Sequence, residues 1–126
     1  MDRPSILRPR ARDCVDCEYI KDLNRTLGPD QATRVVETAL QRLDENLPLA
    51  VAAFAKGNMD DLRRHLRVLR ALATQTGMAE LALAVGHMRD CIARGDGVAA
   101  TAVMARMSRV AERSSIEIWT LSQQSS

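Results

Sequence analysis

The chain has 126 residues, 46% hydrophobic and 27% charged, which is the size and balance of one globular domain and too short for two full ones. One Phe, one Trp and one Tyr leave the core to Leu, Val, Ala and Met, which favours packed helices over a sheet. Eighteen Lys and Arg against sixteen Asp and Glu give a net +2, too weak a field to argue for nucleic acid or an anionic membrane as partner.

Residues 1–15 hold Pro4 and Pro9 among Arg3, Arg8, Arg10 and Arg12 and show little apolar periodicity, so they read as a flexible or loosely docked arm before a domain over residues 16–123. Cys17, Ile20, Leu23 and Leu27 then recur at helical spacing and predict a short amphipathic helix that Gly28 and Pro29 terminate. Asp30 is placed to cap the next helix, whose stripe is Val36, Leu40, Leu43, Leu47, Ala50 and Phe54. Pro48 inside it predicts a kink or a break into two, because its ring removes a donor and crowds the carbonyl four residues earlier.

Asn58 and Asp61, three apart, form a capping arrangement for a helix with the stripe Leu62, Leu66, Leu69, Leu72 and Ala73, and Gly77 supplies its stop. Met78, Leu81, Val85, Met88 and Ile92 mark a further helix that ends near Gly95. After Asp96, the residues Val103, Met107, Val110, Ala111, Ile118 and Leu121 mark a last long one. No strand alternation competes. Short connections between long helices predict an all-α, up-and-down antiparallel four-helix bundle with a short additional N-terminal helix.

The helix after Asn58 has the most unusual surface. At 100° per residue, Arg63, Arg64, Arg70, Ala71 and Thr74 all fall within about 60° of Arg67, and the leucine stripe is centred about 210° away. Charged residues outside a helix are commonly only a solvated face, and Asp60 and Asp61 can pair with some of these cations. Four arginines with no Glu between them still repel one another, which favours an anionic or acidic partner.

The remaining polar residues say less. His65 lies about 50° from the centre of the leucine stripe and is expected to be partly buried. His87 is expected to be exposed near Cys91, one turn on, but two ligands are too few for a metal site. Cys14 and Cys17 form a CxxC with no second pair to close a zinc site and no βαβ pattern to support redox chemistry. An odd count of three Cys, with no secretory h-region, suits reduced thiols in a cytoplasmic protein. The longest nearly uncharged stretch, residues 47–55, is far below membrane-spanning length. Motifs for nucleophiles, phosphate-binding loops and paired catalytic carboxylates are absent, so neither an enzyme nor a cofactor is expected.

The run from Gly57 through Asn58, Asp61, Leu62, Arg67, Leu69, Arg70 and Ala71 to Ala73, followed by Gly77, Leu81, Gly95 and Asp96, resembles the histidine-containing phosphotransfer domain of bacterial phosphorelays. The similarity extends over about residues 17–121. In its register Arg67 stands where the family has its phosphoacceptor histidine, Arg70 matches the Lys that screens the phosphate, and Ala71 keeps the small side chain that lets a receiver domain approach.

A guanidinium stays protonated and has no lone pair with which to attack an aspartyl phosphate. The resemblance therefore implies a phosphorelay protein that binds a receiver domain of a response regulator, or a histidine kinase, through Arg63, Arg64, Arg67, Arg70, Ala71 and Thr74 without accepting phosphate itself. His65 is the minor alternative acceptor; bringing it outward needs a two-residue slip that rotates the helix by about 200° and buries the arginines. Other readings are an active phosphotransfer protein using His65 or His87, or a structural or nucleic-acid-binding bundle.

Overall fold

A computed structural model describes residues 16–124, and these form five α-helices with no strand among them. They are α1 (Cys17–Leu27), α2 (Pro29–Lys56), α3 (Met59–Gln75), α4 (Ala79–Arg94) and α5 (Gly97–Gln124). The arm expected over residues 1–15, with Cys14, lies outside the described residues.

Local chemistry sets most of the helix ends. Asp16 caps α1, its carboxylate accepting from the N–H groups of Glu18 (3.0 Å) and Tyr19 (3.3 Å). Asn58 caps α3: its Oδ1 accepts from the Asp61 N–H (3.1 Å) while its Nδ2 donates to the Asp61 carboxylate (2.8 Å). Asp96 does the same for α5, accepting from the Ala99 N–H at 3.0 Å. Gly57, Gly77 and Gly95 follow the ends of α2, α3 and α4 with positive φ, the conformation that closes a helix at least cost in a residue without Cβ.

The start of α2 differs from the sequence expectation. Pro29 opens the helix, with Gly28 in the capping position and no side-chain cap, so Asp30 sits inside the first turn. The fixed φ and missing N–H of proline suit the first helical position, and this brings the helix start forward. Asp30 then acts through its charge at the positive helix end. Of the kink or break expected at Pro48, the break does not occur: α2 runs through it from Pro29 to Lys56. Pro48 and Asp44 are both exposed, so the Asp44 carbonyl that loses its helical donor faces water.

One apolar cluster draws on all five helices. Leu62, Leu66 and Leu69 of the α3 stripe are at 0% exposure, and so are Leu81, Val85 and Met88 of α4 and Met107 and Ile118 of α5 in the same cluster. Cys17 and Leu27, read as part of the α1 stripe, are exposed. The reason is reach: in the bundle α1 packs mainly on α2 and α5, and Ile20 at its middle is the one residue it buries. Each long helix packs on the next in sequence and α5 packs back on α2. Among the described residues α2 does not pack on α4, nor α3 on α5. This ring leaves one side of α3 free, flanked by α2 and α4.

Candidate functional site: an arginine face on α3

The leucines turn α3 so that its opposite side meets solvent. Arg63, Arg64, Arg67, Arg70, Ala71 and Thr74 are all exposed, as the helical period requires, and His65 is half-buried at the edge of the stripe. The six residues expected to share a surface therefore do so.

Their electrostatics divide the face in two. Near the N-terminus of α3, Arg63 reaches Asp60 (3.3 Å) and Arg64 reaches Asp61 (2.9 Å), each one turn back. These pairs are exposed and stabilise little, but they tether two guanidiniums close to the helix. Arg67 and Arg70 form no hydrogen bond or ion pair within the described residues. The middle of the face thus presents free cations beside the small side chain of Ala71.

Neighbouring helices extend the surface in ways the α3 period does not encode. Arg67, Ala71 and Gln75 share a shallow depression with Arg42 of α2. On the other side Arg63, Arg67 and Arg70 line a groove with Gly86, Arg89, Asp90, Ile92 and Ala93 of α4. Sequence reasoning passed over Arg42, Gly86 and Arg89. A signal for Gly86 was present, since glycine inside a helix is unfavourable unless something needs the space.

The two histidines and the cysteines do not combine into a site. His87 is exposed, as expected, and its Nδ1 accepts a hydrogen bond from an Arg106 guanidinium N–H of α5. Arginine can only donate, so that lone pair is engaged and the neutral ring carries its proton on Nε2. Cys91 is buried, with an Arg94 N–H pointing at its sulfur from 3.7 Å, and so does not face a ligand shared with exposed His87. Cys17 and Cys91 are free thiols, and no group of three or more His, Cys, Asp or Glu able to hold a metal occurs among the described residues. No helix among them is long and apolar enough to cross a membrane.

Set beside known protein families, curated proteins and solved structures, the chain shows no match to any of the three.

Proposed function

We propose that this chain is a phosphotransfer-like signalling protein, an antiparallel up-and-down four-helix bundle carrying short α1, that docks a receiver domain or a histidine kinase without accepting phosphate. The observation that carries this reading is Arg67. It projects into solvent at the centre of the α3 face, unpaired among the described residues, with Ala71 one turn on and Arg70 beside it. The ring of helix contacts suits such a bundle.

In this reading the docking face is retained and the reactive atom is lost. A receiver active site is a cluster of carboxylates, and Arg67 and Arg70 supply charge-assisted donors to it. Ala71 lets the two surfaces approach. Active phosphotransfer through His65 is less well supported, because that ring is half-buried against the core. His87 has its Nδ1 occupied by Arg106.

Two assays on the full chain test the proposal. A panel of receiver domains is retained by the wild type and lost with Arg67→Glu; equal recovery of both rejects docking through this face. Incubation with radiolabelled phospho-receivers leaves the wild type unlabelled, whereas Arg67→His, which puts an imidazole at the exposed centre, gains an acid-labile label. A wild-type label that disappears in His65→Ala or His87→Ala identifies an active carrier instead.

A further inference from the structure

The groove between α3 and α4 gathers positive charge from both helices. Arg63, Arg67 and Arg70 enter it from α3 and Arg89 from α4, against one carboxylate, Asp90. Arg67, Arg70 and Arg89 have no acidic partner among the described residues. Guanidiniums lining one groove repel each other, and an anion seated between them removes that repulsion.

Gly86 is the independent observation. It lies inside α4, where glycine costs about 1 kcal/mol relative to alanine. A Cβ built on it meets nothing within 4 Å, so neither packing nor backbone strain requires glycine at this point. It lines the groove on the α4 side, as do Ile92 and Ala93 about two turns further on. The groove encloses about 610 Å³, within the range of small-molecule sites.

We propose that the α3–α4 groove binds a small phosphoanion with two or more linked phosphates. The arginines of α3 spread over about 10 Å of helix, from position 63 to position 70, further than a single phosphate spans. Each guanidinium fork can take two oxygens of a phosphate at once. Arg89 closes the site from the α4 side, and Gly86 leaves room for the bound molecule. Nucleic acid fits these features less well, because the net charge is only +2 and the chain offers three aromatic side chains for stacking. Binding of this kind does not depend on receiver docking.

Calorimetric titration of the full chain tests the site with four probes: inorganic pyrophosphate, ADP, adenosine and a single-stranded oligonucleotide. Pyrophosphate and ADP are expected to saturate one site and adenosine to show no binding. The tighter of the two binders tells whether free polyphosphate or a nucleotide is the source. Arg89→Gln should weaken binding at least tenfold, and Gly86→Met, whose side chain fills the groove, should abolish it.

Thermal melts of both variants establish that they fold, as expected for an exposed arginine and a glycine with open space above it. Both substitutions lie on α4, outside the six residues assigned to receiver docking, so loss of one activity is separable from loss of the other. No saturation at millimolar pyrophosphate or ADP, wild-type affinity in folded Arg89→Gln, or tighter binding of the oligonucleotide would each overturn the proposal.

Discussion

Three buried residues in the described chain carry polar side chains, and they differ in how they meet the cost of burial. Thr76 donates its hydroxyl to the Leu72 carbonyl at 2.8 Å and Ser122 donates to that of Trp119 at 2.9 Å. Ser114 is fully buried, and its Oγ has no partner. A buried hydroxyl without a hydrogen bond costs about 1–3 kcal/mol of desolvation. Ser114→Ala removes that cost while keeping nearly the same volume, so it should leave the urea midpoint unchanged or raise it, by about 1 kcal/mol in unfolding free energy. A clear loss of stability would mean that the hydroxyl has found a donor or acceptor. Arg67 shows the opposite case, in which burial was never at issue: outward projection follows from the leucines around it, and those were readable from a period of 3.6 residues.

Among the helices, α2 departs furthest from its sequence expectation. The apolar stripe was placed correctly, since Val36, Leu43 and Ala50 are buried and Leu40, Leu47 and Phe54 pack partly against the core. Pro48 predicted a kink or a break because its local cost is high, and the break does not occur: the buried residues on both sides of it, Leu43 and Ala50, keep one continuous helix. That cost is then still present in the folded state. Pro48→Ala restores the donor for the Asp44 carbonyl and should stabilise the protein by about 1–3 kcal/mol, read as a higher melting temperature. An unchanged or lower melting temperature would show that α2 is shaped around the proline.

In the molecule as a whole, α1 acts as a strap across the turn between α3 and α4. The Asp16 N–H donates to the Gly77 carbonyl at 2.7 Å, and the Tyr19 hydroxyl donates to the Gln75 carbonyl. Gly77 has φ +72° and lies so close that a Cβ there would stand 3.1 Å from the Tyr19 side chain. Gly77→Ala therefore combines left-handed backbone strain with a tight contact on Tyr19. It should cost about 1–2 kcal/mol from the backbone alone and loosen α1, seen as faster amide exchange at Tyr19 and Ile20. Unchanged exchange with the same melting temperature would show that α1 does not brace this turn. The same turn sets how α3 and α4 lie together, and so shapes the groove between them.

Helix identity, the buried stripes of the long helices, the cap at Asn58 and the outward arginines of α3 were legible in the residues, because each depends on neighbours within a turn or two along the chain. The membership of the candidate site was legible only for α3. Arg42, Gly86 and Arg89 belong to helices whose own periodicity says which side is buried but not which neighbour stands beside the other side. That pairing is set by the packing of four long helices in a ring, where α3 lies between α2 and α4. Local spacing carries no information about contacts between segments far apart in the chain, and so the cationic groove exists only once the helices have packed.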